Sequence, residues 1–509
     1  MASTSREYVV EDKEAKRPAY YVEVTDKQIS DFEIWNSLCA NEGYEVVVYI
    51  CEQYLNSGQI PVISSEIISV LFTLASVDED VNRPLLRKAD PLDHGRESLP
   101  ARSLRLLDTL ISHLVSFDHE KFDLYNLELL RCQFFYFIDG LIPTKGRSWI
   151  CSPPEYNKSN KIIWPFTDNA FMPQSNVPLY ASYINLIDDN RVVFKSMMIN
   201  RLLSQNGSFW NTLSWTLSCF STEENFVIRS FNERWLSIFN LLFDVYSLRQ
   251  DYYMRYESSN LRTSPLFKVF WAVDHKYISK GLLEYLFVGC NEKESLYPIP
   301  PPPNEAVLGV EHVIHFTYNR SYKLSMSMKL RKKIIGLFLD LFPTLKNDIN
   351  VDLPRKEDIL DMLADTMYND LKIEPFKHFM ISCYSNRKDN DDDSMFLPQL
   401  VERIINKAFI NVNRQKQFAI VDNLHDIAKI TSELVQLLKA TNKYAAFNRS
   451  RSMKRREKID FCIITVAKLM TTTHSIKKFQ DYSSFLSTIK TFAHSSAGLK
   501  DLELFFYFK

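Results

Sequence analysis

Glycine is scarce in this chain, with 11 among 509 residues. Loops that wrap phosphates need several glycines close together, for turns with φ > 0 and for close backbone approach. The nearest thing to such a loop, Gly140 to Ser148, has one residue too many between its glycines and Arg147 where the lysine belongs. Cysteine is sparse as well. None of the eight stands in C-x-x-C spacing, and Cys39, Cys51, Cys132, Cys219 and Cys462 sit inside apolar helical patterns, where a free thiol acts as a small hydrophobe. That usage predicts a reducing compartment, nucleus or cytosol. No apolar run approaches the ~18 residues a membrane helix needs, so no membrane partner is expected. The polar start, MASTSREYVVEDKEAKRP, fits neither a secretory signal nor a transit peptide.

Excess charge is missing too. The formal net charge is −1, so any attraction to nucleic acid must be local. Neither G-x-S-x-G nor H-E-x-x-H occurs. His312 and His315 are three apart on an alternating segment, where they point to opposite faces without a third ligand, so no metal is expected there. No carboxylate pair stands out by spacing as acid and base. These absences predict a chain that is not an enzyme, with no catalytic residue and no cofactor.

What the sequence has in quantity is apolar surface at helical period. Hydrophobic residues make up 46%, enough for a packed core in a chain of this length. The stretch from Phe122 to Leu141 shows the pattern: Leu124, Leu127, Leu130, Phe134, Phe137, Ile138 and Leu141 recur at three and four residues, one face of an α-helix. Arg131 sits within that face. Its guanidinium must snorkel out or meet a carboxylate, and Glu128, one turn back, is the nearest, so the two are assigned a structural role.

Similar patterns predict helices from Thr25 to Asn41, with Thr25 and Gln28 at capping-box spacing and Gly43 just past the end, and then at Tyr44–Leu55 and from Ser64 and Ser65. Further ones begin at Ser98 and Pro100 and span Ser208–Phe220, Phe231–Tyr256, Pro265–Val273 and Tyr277–Val288. The second half adds Met326–Phe342, Lys356–Leu371, Pro375–Tyr384, Phe396–Phe409, Phe418–Thr441, Lys458–Met470 and Ser475–Phe492. Short loops force antiparallel neighbours, and no fixed repeat is present. The expected fold is therefore all-α, an irregular stack of antiparallel helical hairpins in two lobes. At most one or two short strands are expected, from AYYVEVT and from VLGVEHVIHFTY.

The expected order is a tail over 1–18, a helical lobe over 19–290 with a proline-rich, aromatic insertion near 143–180, a linker over 291–323 containing Pro300 to Pro303, and a second lobe over 324–509. Trp149, Trp164 and Phe166 in the insertion are candidate partner anchors, as are Phe505, Phe506 and Phe508 at the end. Lys329, Arg331, Lys332 and Lys333 form one basic cluster. Arg455 and Arg456 belong to a second, read as a loop between Arg449 and Lys458, with Ser450 and Ser452 available for modification. Either cluster is a solvated face or a contact for phosphates or an acidic partner. Tyr8, Val9 and Val10, followed by Glu11 and Asp12, have the form of a peptide that adds a strand to a small partner's sheet edge, as SUMO-binding peptides do.

Several separated blocks then carry a resemblance. They are YYVEVTDKQISDFEIWNSLCANEGYEVVVYICEQY, VLFTL at Val70–Leu74, RESL at Arg96–Leu99, DLYNLELLRCQFFYFIDGLIP around Arg131, WTLS at Trp215, SLRQDYY at Ser247 and LSMSMKLRKKIIG near Leu324. In these the chain resembles the family of fifth non-SMC elements, subunits of the structural-maintenance-of-chromosomes (SMC) five/six complex of budding yeasts. The resemblance implies a nuclear, chromosome-associated, all-helical and non-enzymatic subunit. It implies pairing with the sixth non-SMC element and action on the SMC five and SMC six heads, with control of ATP turnover, loading on chromatin in DNA repair and recombination, and a link to SUMO and its ligase. DNA would then be reached indirectly. The alternative is a helical scaffold that grips nucleic acid directly through the two basic clusters.

Overall fold

A computed structural model describes residues 25–41, 43–76, 97–116, 120–141, 203, 208–220, 230–256, 261, 264–273, 278–292, 320–344, 354–385, 396–410, 417–444, 450–473, 482–493 and 499. These residues form an all-α protein. They divide into one unit, Met1–Cys219 with Asn225–Tyr285 and Ile299–Phe316, and a second, Phe220–Glu224 with Leu286–Pro298 and Thr317–Lys509. Both segments expected as strands fall almost wholly outside the described residues. Among those, β pairing is confined to an isolated antiparallel bridge between Asn291 and Leu371.

The first unit contains α1 (Asp26–Ala40), α2 (Tyr44–Asn56), α3 (Ser65–Ser76), α4 (Leu99–Ser116), α5 (Leu124–Gly140), α6 (Ser208–Cys219), α7 (Ser230–Tyr256), α8 (Pro265–Trp271) and most of α9 (Ile278–Leu286). Thr25 caps α1, its hydroxyl accepting from the Gln28 N–H at 3.3 Å. Gly43 earns its place by closeness rather than by φ: its N–H donates to Leu38 O at 2.8 Å, and a Cβ there would lie 3.0 Å from that same oxygen. Gly58, at φ 75°, gives α2 a left-handed stop that other residues adopt only with strain.

Helix α3 is apolar around most of its circumference and accordingly lies inside, packed on α4, α5 and α7. Along α7, Trp235, Phe239, Leu242, Phe243 and Tyr246 are buried, and Phe209 of α6 meets Phe239 edge-to-face at 5.5 Å. Two of the buried aromatic polar ends find carbonyls. The Trp210 indole N–H donates to Val269 O at 2.8 Å, and Tyr246 Oη donates to Leu141 O at 3.2 Å. At the start of α8, Ser264 accepts from the Phe267 N–H at 3.2 Å and Pro265 takes the first helical position, where no N–H is needed. Ser264→Ala is expected to destabilise this unit by about 1 kcal/mol, read from the urea unfolding midpoint.

The second unit contains α10 (Arg320–Thr344), α11 (Lys356–Asp365) running into a π-helical turn (Thr366–Asp370), α12 (Ile373–Ser385), α13 (Phe396–Ile410), α14 (Ile420–Asn423), α15 (Ile427–Tyr444), α16 (Ser450–Thr473) and α17 (Tyr482–Ala493). Helix α16 is its axis, packed on α12, α13 and α15 through Ile459, Cys462, Ile463, Val466 and Met470. The single helix expected over Phe418–Thr441 is in fact two. Asn406 of α13 pairs with both backbone groups of Phe418, at 2.7 and 3.0 Å, and Glu402 accepts from the Val421 N–H at 2.7 Å. Asp426 then restarts the helix, its carboxylate accepting from the Ala428 and Lys429 N–H groups.

Candidate functional site

Among the described residues, buried ion pairs and buried cations meet at two junctions, one in each unit, and one helix face is apolar and exposed. In the first unit the junction is the seam between α5 and α7. Glu128 and Asp139 lie eleven positions apart on α5, about three turns, and so share a face. Arg131 Nη1 donates to Glu128 at 2.9 Å while its guanidinium lies 4.9 Å from the centre of the Tyr252 ring. The Tyr252 hydroxyl reaches the same carboxylate at 3.4 Å.

Asp139 meets Arg249 of α7, whose Nε and Nη2 donate to its two oxygens at 3.2 and 3.4 Å. That guanidinium lies 4.3 Å from the Tyr253 ring centre and 5.1 Å from that of Phe135. Burial pushes the Asp139 carboxyl above the usual carboxylate range, opposed by Arg249, and draws the nearby Lys268 ammonium down. Periodicity assigned Arg131 and Glu128 as a structural pair. Arg249 carries the same signal, with Val245, Tyr246, Tyr252 and Tyr253 at three and four residues on either side, but its carboxylate is 110 residues away.

The second junction gathers cations that the sequence assigned to two surface clusters. The segment Cys290–Glu292 pairs with the end of the π turn, Glu292 N–H to Asp370 O at 2.7 Å and Lys372 N–H to Cys290 O at 2.8 Å. Lys458 of α16 is buried beneath it and donates to the carbonyls of Met367, Tyr368 and Leu371 at 2.9, 2.9 and 2.5 Å. Burial draws the Lys458 ammonium down to about 8. Lys454 reaches Glu292 at 3.5 Å, and Arg455 donates to Asn369 at 2.9 Å with Tyr368 5.5 Å from its guanidinium.

The basic clusters therefore need correction as continuous solvated faces. On α10, Lys329 is exposed and Lys333 half-buried, but Lys332 is buried and Arg331 is 0% exposed, its guanidinium hydrogen-bonded to the Cys290 side chain. The second cluster is not a loop but the first turns of α16. There Arg456 binds Asp460 at 2.9 Å and the Thr441 carbonyl, and Arg455 is committed to Asn369. Apolar neighbours betray Arg331 as they do Arg131: Met328, Ile334 and Ile335 stand one turn away on either side.

Tyr8, Val9 and Val10, Trp149, Trp164 and Phe166, and Phe505, Phe506 and Phe508 lie outside the described residues, as do His312 and His315. Of the thiols, Cys39, Cys51, Cys132, Cys290, Cys383 and Cys462 are buried and free, and burial pushes Cys39 up to about 12. Burial raises Cys51, Cys132 and Cys462 as well, and thiols raised in this way stay protonated at neutral pH. Among the described residues no three or more His, Cys, Asp or Glu side chains converge as a metal site, and no helix is long and apolar enough to cross a membrane.

Helix α2 carries the third feature. Val47, Val48 and Cys51 are buried against its neighbours α1 and α4, yet Val46, Tyr49 and Tyr54 are 47, 56 and 41% exposed. With the half-buried Ile50 they follow i, i+3, i+4 and i+8 spacing, one stripe on the solvent side.

An all-α architecture in two helical units, fixed by internal ion pairs, defines the class of protein. The chain belongs to the family described as DNA repair proteins Nse5 and Nse6, whose model matches residues 1–494. A curated relative, the non-structural maintenance of chromosome element 5 of Saccharomyces cerevisiae, is 29% identical over an alignment of 486 residues covering 89% of this chain and 85% of the relative.

Proposed function

We propose that this chain is a non-catalytic subunit of the SMC five/six complex. In this reading it pairs with the sixth non-SMC element, regulates the ATPase of the SMC five and SMC six heads, and promotes chromatin loading during DNA repair and recombination in the nucleus. The observation that carries it is the family match across nearly the whole chain, and both lobes of the protein are included in it. The internal use of Arg331, Arg456 and Lys458 supports a protein-binding role over direct grip on phosphates, because cations held by buried partners cannot release counterions from DNA.

The aromatics Trp149, Trp164, Phe166, Phe505, Phe506 and Phe508 are proposed partner anchors, and Tyr8, Val9 and Val10 a proposed strand for SUMO or a SUMO ligase. Co-expression with the sixth non-SMC element is expected to give a stable one-to-one complex that changes the ATP turnover of reconstituted SMC five/six. Trp149→Ala with Trp164→Ala is expected to weaken that complex, measured by calorimetry. DNA binding by the isolated chain with a steep dependence on salt, and no complex, would support direct nucleic-acid binding instead.

A further inference from the structure

Helix α2, YEVVVYICEQYLN, is largely apolar, yet among the described residues its neighbours α1 and α4 cover only one side. A helix apolar almost all round is ordinarily enclosed on both sides. The exposed face of Val46, Tyr49, Ile50 and Tyr54, with Gln53 among them, runs over two turns and is on the order of a few hundred Å², the scale at which apolar patches mark interaction sites. Two of its residues are tyrosines, the residue type that gives rigid contact area at low entropic cost.

The surrounding charge has one sign. Residues 26–56 contain Asp26, Asp31, Glu33, Glu42, Glu45 and Glu52 against the single cation Lys27. Beside them on α4, Arg102 binds Glu52 at 2.6 Å, and Arg105 binds Glu52 and Glu97, each at 2.9 Å, so those arginines offer the hairpin little further compensation. Glu45 flanks the stripe on α2, and Glu33 is exposed on the neighbouring α1.

We infer that the solvent face of α2 is a docking surface for an amphipathic helix of a partner protein, with an apolar stripe flanked by lysine or arginine. The i, i+3, i+4, i+8 spacing suits ridge-into-groove packing of a second helix along α2, and the carboxylate border selects a basic flank. This rests on the pairing proposed above, and the sixth non-SMC element is the probe. The wild-type chain, the Tyr49→Asp variant and a Glu33→Lys/Glu45→Lys variant are each titrated with that purified subunit, with circular dichroism to check helicity. Tyr49→Asp is expected to weaken the complex at least tenfold, and the double charge reversal to weaken it most at low salt. Because position 49 is exposed, both variants are expected to keep wild-type helicity.

A photo-crosslinking p-benzoylphenylalanine in place of Tyr49 is expected to join the partner within a helical segment rich in Lys or Arg, whether or not a variant folds poorly. A normal complex with unchanged affinity for Tyr49→Asp, or with no crosslink from position 49, overturns the surface while leaving the pairing intact. Failure of the wild-type chain to form a complex overturns the pairing and the surface with it. Self-association of the isolated chain that is lost in Tyr49→Asp makes the occupant a second copy and likewise overturns the proposal.

Discussion

Replacing Arg249 by methionine is expected to destabilise the first unit by about 3–5 kcal/mol, the cost of leaving a buried carboxylate without its partner. Arg249 is 1% exposed, and its fork holds both oxygens of Asp139 while Tyr253 and Phe135 lie beside its guanidinium. Methionine fills part of the volume but leaves Asp139 in an apolar seam. Arg249→Met with Asp139→Leu is therefore expected to recover most of the loss, since neither member of the pair then remains. Arg249→Lys is expected to recover little, because an ammonium has neither the fork nor the plane for the tyrosine ring.

The pH dependence gives a second handle. Burial raises the Asp139 carboxyl in the folded state, so the folded chain holds that proton more tightly than the unfolded chain does. Removing Arg249 takes away the larger of the two cations that oppose this, Lys268 being the other, and the carboxyl rises further. As pH falls through that raised value, the protonated acid needs no ion partner. The deficit of Arg249→Met is accordingly expected to shrink as pH is lowered from neutral towards the ordinary carboxylate range, in urea unfolding followed by tryptophan fluorescence.

The same two arginines mark how far the sequence could be read. Helical period located α3, α5 and α7 because burial on one face leaves apolar residues every third or fourth position, and the cap at Thr25 and the first-turn proline Pro265 act within one turn. Arg131 and Glu128 were legible for that reason. Arg249 and Asp139 were not, because a partner 110 residues away leaves no trace in local spacing. Counting Arg331 among surface cations treated its long stem as polar, although the residues around it are those of a core face. At α16 the polar run from Ser450 to Glu457 hides the helix start, so the periodic signal begins only at Lys458. The α2 stripe was visible as apolar residues, but which side its neighbours leave open is a property of packing alone.

Lys458→Met is expected to cost the second unit about 3 kcal/mol, because three carbonyls lose a charged donor at once. Those of Met367, Tyr368 and Leu371 lie where α11 and its π turn end, and helix ends leave carbonyls without intrahelical donors and with partial negative charge. Two effects on Lys458 oppose each other. Burial, with Arg455 nearby, favours the neutral amine and prevails, drawing the group down to about 8, whereas Glu292, Asp370 and the carbonyls favour the ammonium. Below pH 8 folded and unfolded chains both hold the proton; between pH 8 and the ordinary lysine range only the unfolded chain does. Stability contributed by this group therefore rises with pH across that window, by at most about 1.4 kcal/mol per pH unit. The gap in unfolding free energy between wild type and Lys458→Met is expected to widen from pH 8 to pH 10. A gap that narrows instead would mean that the carbonyls outweigh burial, with the charged lysine as the form that fastens α16 to the π turn.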